Sequence, residues 1–119
     1  SGLVGSEMCI RDSDRSMKVC YELLGNTAFK RPDPQKPNSF LKTNKAIFEV
    51  LSVSIALLTE NEQEILIQRK NRFRNEIYSL FRDETFIKAI TSGTAKQPQV
   101  EYRHTQVQQL IKQVISYDN

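Results

Sequence analysis

His104, Glu49, the two cysteines and the run Arg69, Lys70, Arg72, Arg74 are the residues whose types and spacing could do chemistry in this sequence. His104 is the only histidine. A metal site needs three or four converging ligands, and nothing around it has that spacing. As a general base it would need a nucleophile, and none lies near it in sequence. The expectation is a partly buried, hydrogen-bonded structural histidine. Cys9 and Cys20 are too few and too isolated for a metal site, and a single pair is thin support for a disulfide scaffold. Both are read as reduced and without function.

Glu49 stands in an otherwise apolar stretch, Ala46 to Leu58. A carboxylate there costs free energy unless it is paired or hydrogen-bonded. Its stabilisation is expected from the helix N-terminus or from Lys45, four residues earlier. A partner interface or a distant active site is the sharper alternative. The run from Arg69 to Arg74 is the densest charge cluster. On a helix, Arg69 with Arg72 and Lys70 with Arg74 form two adjoining basic ridges, and Arg82 extends one edge. Such ridges can neutralise DNA phosphates without reading sequence. Glu62, Glu64 and Glu76 on the same helix dilute the field, and a solvated face is the plainer reading. Gly25 and Gly93 belong to no glycine-rich phosphate motif. The expected catalytic, cofactor-binding and metal sets are therefore empty, and no cofactor is implied.

These residues sit in a chain of 119 residues, 39% hydrophobic and 26% charged, with a net charge of +3. That composition suits one modest globular domain and excludes a disordered chain. The charge permits nucleic-acid contact without demanding it. No apolar run reaches the roughly 18 residues a bilayer span requires. A soluble, cytoplasmic chain without membrane contact is expected.

Residues 1–13, SGLVGSEMCIRDS, have neither a helical apolar stripe nor strand alternation. The string closely resembles a translated sequencing adapter of the kind found at the ends of unrelated metagenomic reading frames. A signal peptide would need a basic start and an apolar core of about 7–15 residues. Gly2, Gly5, Ser6 and Glu7 interrupt any such core. On the adapter reading Cys9 drops out, no internal disulfide is available, and residues 14–119 carry +4, because Glu7, Arg11 and Asp12 together contribute −1.

The elements that must hold the candidate residues are helices. Met17, Cys20, Tyr21 and Leu24 keep i, i+3, i+4, i+7 spacing and predict a helix over 14–24, stopped at Gly25 and Asn26. Pro32, Pro34 and Pro37 make 25–43 a connector, tacked onto the core by Ala28, Phe29 and Phe40. Thr43 or Asn44 caps a helix over 44–58, apolar nearly all round and so expected to be covered on several sides. Thr59 and Glu62 have capping-box spacing and open a helix over 60–82, with Leu66, Phe73, Ile77, Leu80 and Phe81 inward. Asp83 caps a helix over 84–91 that buries Phe86, Ile87 and Ile90 and ends near Gly93. Val107, Leu110, Ile111, Val114 and Ile115 mark a last helix over 99–117, with His104 on the same stripe. The fold class is all-α, a bundle of four to five helices.

Three stretches together resemble a known family. GNTAFKR (25–31) looks like a divergent glycine–aromatic–basic element, and TNKAIFEVLSVSIALL (43–58) looks like an "INKALFE" helix. DETFIKAITSGT (83–94) followed by Val100 and Arg103 looks like a closing "F…AI…GT…V..R" segment. The order and spacing are similar to the C-terminal helical part of the GmrSD-type proteins, bacterial defence proteins whose N-terminal domain has a ParB/sulfiredoxin-like nuclease fold. This resemblance, over about 17–115, implies a parent that acts on DNA, with nucleotide dependence left open. It also implies that this chain is an incomplete, non-catalytic part whose partner is the missing N-terminal nuclease-like domain. The Asp-Gly-Gln-Gln-Arg-like element of that domain is absent from this sequence, so no catalytic residue carries over. Two other readings stay open. One is an independent nucleic-acid-binding module, which needs the basic ridges to converge with Lys88 or Arg103 on one face; the other is a small protein-interaction domain.

Overall fold

The computed structural model describes residues 10–117. Six α-helices, one more than the upper number expected, are found among the described residues: α1 (Ile10–Leu24), α2 (Lys45–Ala56), α3 (Glu60–Gln68), α4 (Lys70–Leu80), α5 (Glu84–Thr91) and α6 (Gln97–Ser116). The fold is all-α. None of these helices is long and apolar enough to cross a membrane. Helix α2 lies centrally, packed on α1, α5 and α6, while α6 also packs on α3, α4 and α5.

Local chemistry starts the helices where capping residues stand. Asn44 Oδ1 accepts the Ile47 N–H at 2.9 Å and opens α2. Thr59 Oγ1 accepts the Glu62 N–H at 3.1 Å while Glu62 Oε1 accepts the Thr59 N–H at 2.9 Å, the reciprocal box that opens α3. Asp83 Oδ1 accepts the Thr85 N–H at 3.0 Å and opens α5. Pro98 sits in the first turn of α6, where its missing N–H costs nothing. Gly93, past the end of α5, has φ +59, and a Cβ there would lie 3.1 Å from the Lys96 side chain.

The segment expected as one helix over 60–82 is two. Arg69 leaves helical geometry at φ −108, ψ 30 and separates α3 from α4. No glycine or proline marks the break. It is held from outside, because Arg69 Nη1 donates to the carbonyls of Val114 (2.9 Å) and Ile115 (2.6 Å) at the end of α6. With the chain redirected, Leu66 of α3 and Phe73 of α4 both become fully buried.

Helix α1 is also set differently from expectation. It starts at Ile10 rather than at residue 14. The rest of the adapter-like segment, residues 1–9 with Cys9, lies outside the described residues. Its buried residues are Ser16, Val19, Cys20, Leu23 and Leu24; of the expected stripe Cys20 and Leu24 are buried, Met17 packs partly buried on the core, and Tyr21 is 50% exposed. A hydroxyl makes that rotation tolerable, since Ser16 Oγ donates to the Ser52 carbonyl of α2 at 2.6 Å.

Helix α2 is covered on several sides, as expected, by α1, α5 and α6, and one side stays open. Ala46, Ile47, Val50, Leu51, Ser54 and Ile55 are buried, whereas Phe48 is 39% exposed and Leu57, just past the helix, 69%. The connector 25–43 contains a short 3₁₀ turn at Gly25–Thr27 and an antiparallel bridge between Pro32 and Phe40. Two backbone bonds clamp it: Leu41 N–H to Arg31 O at 3.0 Å, and Asn44 N–H to Phe29 O at 2.8 Å.

Candidate functional site

A buried arginine ties the molecule together. Arg103 lies on the inward stripe of α6 with Val107, Leu110, Ile111 and Val114, and is only 4% exposed. Its Nη1 donates to the carbonyls of Ala89 (2.9 Å) and Thr94 (2.7 Å), and its Nη2 donates to Glu49 Oε1 at 2.9 Å. The Nε is buried without a hydrogen-bond partner. Ala89 is in the last turns of α5, where carbonyls lack intrahelical donors and the helix dipole favours a cation. One guanidinium therefore closes α5, fixes the loop after it and reaches α2.

Glu49 takes its charge partner from Arg103, not from Lys45. His104 Nε2 lies 3.8 Å from the same Glu49 oxygen, too far for a hydrogen bond. Its side chain is 21% exposed, so the expected partial burial is present, and Glu49 is its charged neighbour. The Glu49 side chain itself is half exposed.

Asn44 adds a second tie. Besides capping α2, it donates from Nδ2 to the Ile90 carbonyl at 2.9 Å, and its backbone N–H bonds to Phe29. The stretches 25–31, 43–58 and 83–103, far apart in sequence, meet at this junction. Beside it runs an open groove of about 610 Å³, whose lining includes Phe48, Glu49, Val53, Val100 and Arg103. Its exposed surface is mostly apolar, with Lys45, Glu49 and Arg103 as the charged residues of the lining. No group of three or more His, Cys, Asp or Glu residues that could hold a metal occurs among the described residues.

The four cations singled out from the sequence do not form two free ridges. The break at Arg69 interrupts the helical register between it and its neighbours. Arg69 is bonded to the end of α6. Arg74 Nε donates to the Leu23 carbonyl of α1. Arg72 lies over the Tyr117 ring at 3.4 Å from its centroid, a cation–π contact. Lys70 is exposed and has no such partner. Arg103 does not join them on one surface, because it is buried.

Cys20 is fully buried on α1, and burial pushes its thiol up to about 12, with a hydrogen bond to Ser16 acting in the opposite direction. It stays protonated at neutral pH. The Tyr102 hydroxyl donates to Asp83 Oδ2 at 2.6 Å, and that bond to a carboxylate raises its pKa.

The sequence pattern alone missed Arg103, which it offered only through a family likeness and as a surface cation. A signal was present: a long polar side chain at the i−4 position from Val107, inside an apolar stripe, has to find partners if that stripe is buried. No protein-family model matches this chain, and neither does any curated protein or solved structure with which it was compared.

Proposed function

We propose that this chain is the C-terminal helical part of a GmrSD-type, ParB-like nuclease-family protein, and that it packs against and positions the N-terminal domain of that parent. The observation that carries this reading is the meeting of the three family-like stretches. Asn44 and Glu49 of the second bind Phe29 of the first and Ile90 and Arg103 of the third, through bonds of 2.8 to 2.9 Å. Residues that bear a resemblance and also converge at one junction are better explained by a shared architecture than by chance matches in three short strings.

The junction opens onto the groove beside α2, where Phe48 stands exposed. A groove whose exposed surface is mostly apolar, interspersed with charged residues, is a surface on which a second domain can dock. DNA cleavage chemistry belongs, on this proposal, to the docked domain.

Thermal melting tests it. The chain alone is compared with the same chain extended by its natural upstream sequence, recovered from the source material. The proposal expects the helical part to melt at a higher temperature in the extended protein, in one transition with the added domain. Two independent transitions, with the helical part melting where it does alone, would remove the docking role.

A further inference from the structure

The positive charge of this molecule is concentrated where the pattern of helices gave no reason to look. Residues 25–45 carry five cations, Lys30, Arg31, Lys36, Lys42 and Lys45, against one carboxylate, Asp33. That is +4 in a chain whose total is +3, which leaves the remainder at −1. None of the five cationic side chains makes an ion pair or hydrogen bond within the described residues. The one acid is occupied locally, since Asp33 Oδ1 accepts the Gln35 N–H at 2.8 Å.

The backbone clamp gathers them. Between the bonds Leu41 N–H to Arg31 O and Asn44 N–H to Phe29 O lie Lys30 on one arm and Lys42 on the other. Arg31 supplies one acceptor, and Lys45 follows Asn44 as the first residue of α2. Four cations are thus fixed within a residue or two of one clamp, at the positive end of a helix. Alongside runs a line of aromatic rings. Phe29, next to Lys30, meets Tyr21 edge-on at 5.7 Å and Phe48 edge-on at 4.9 Å. The outer two rings are 50% and 39% exposed.

From this placement we infer that the clamped connector, with the half-exposed Tyr21 ring beside it, is a binding surface for single-stranded nucleic acid. Cations neutralise the phosphates, and an exposed aromatic ring can stack a base that a duplex would keep paired. The inference rests on charge and exposure; it shares Lys45 with the groove beside α2, and its test uses this chain without any docked domain.

The test is fluorescence anisotropy of the whole chain with a labelled oligothymidine, at two salt concentrations. Four phosphate contacts predict that raising salt from about 50 to about 200 mM weakens binding roughly fifty-fold. The combined variant Lys30→Gln, Arg31→Gln, Lys42→Gln, Lys45→Gln loses affinity by about tenfold or more at low salt and most of the salt dependence. A matched variant, Lys70→Gln, Lys88→Gln, Lys96→Gln, Lys112→Gln, removes the same charge elsewhere and binds within about threefold of wild type. Tyr21→Ala weakens single-strand binding by about tenfold. The substituted cationic side chains make no ion pair or hydrogen bond within the described residues, so both charge variants keep the wild-type circular dichroism. Equal losses in the two charge variants would overturn the proposal. So would wild-type binding that is absent, indifferent to salt, or as tight for a duplex as for the single strand.

Discussion

Arg103 and Glu49 share a hydrogen bond, yet their removal should cost different amounts. Glu49 is half in water, so its carboxylate is solvated and its pairing screened; Glu49→Gln is expected to cost under about 1 kcal/mol. Arg103 is buried and serves two carbonyls besides the carboxylate. Replacing it with Met leaves those groups unpaired at the end of α5, a loss of about 3 kcal/mol. Urea unfolding of the two variants checks the asymmetry, and equal losses would mean that the carbonyl bonds contribute little. Cys20 offers a second residue-scale test. Its folded-state pKa, pushed up to about 12, lies above the ordinary value of 9.0. The stability from keeping it neutral is therefore whole below about pH 9 and declines as pH rises towards 12, by at most about 1.4 kcal/mol per pH unit. Tyr102, also raised, acts in the same direction. Denaturant midpoints measured from pH 8 upwards should fall, and a flat profile would contradict the burial of the thiol. None of this chemistry is visible in residue types alone. The sequence offers His104, Glu49 and a cation cluster, whereas partners such as Ala89 O, Thr94 O and Leu23 O are backbone atoms that any residue could supply.

Helix starts were the most legible elements, because a cap acts through residues only three positions apart. Asn44, Thr59 and Asp83 each cap as their spacing requires. Thr59→Ala should therefore cost about 1 kcal/mol, read from thermal or urea unfolding. Breaks were the least legible. The turn at Arg69 depends on carbonyls of Val114 and Ile115, some 45 residues away, and no local residue announces it. The rotation of α1 has a similar cause. Met17 and Tyr21 satisfy helical spacing as well as Ser16 and Val19 do, and the partner that accommodates the buried Ser16 hydroxyl, the Ser52 carbonyl, lies 36 residues away. Arg69 also separates two accounts of the basic run. Arg69→Met should destabilise the fold by about 2 kcal/mol through loss of charged hydrogen bonds, while Lys70→Gln should change it little. Equal, negligible effects would return Arg69 to the free surface that its sequence context suggests.

At the scale of the molecule, an all-α bundle could be anticipated because apolar residues at three- and four-residue intervals have to bury a stripe. The open side of α2 could not be, since its outward residues Phe48 and Val53 are as apolar as those it buries. The concentration of charge in the connector was countable from the outset, but its meaning depends on the clamp that holds both arms together. An exposed phenylalanine beside a groove is poorly explained by the stability of this chain. Its role is clearest if another domain covers it. Substituting Phe48→Asp in the chain alone and in the chain extended by the proposed upstream domain puts this to the most direct test, with melting temperature as the readout. Loss of the Phe29 contact should lower the chain alone by a few degrees. A markedly larger fall in the extended protein, with the helical part now melting separately, is the predicted result. An equal fall in both proteins would contradict a docked domain on this face.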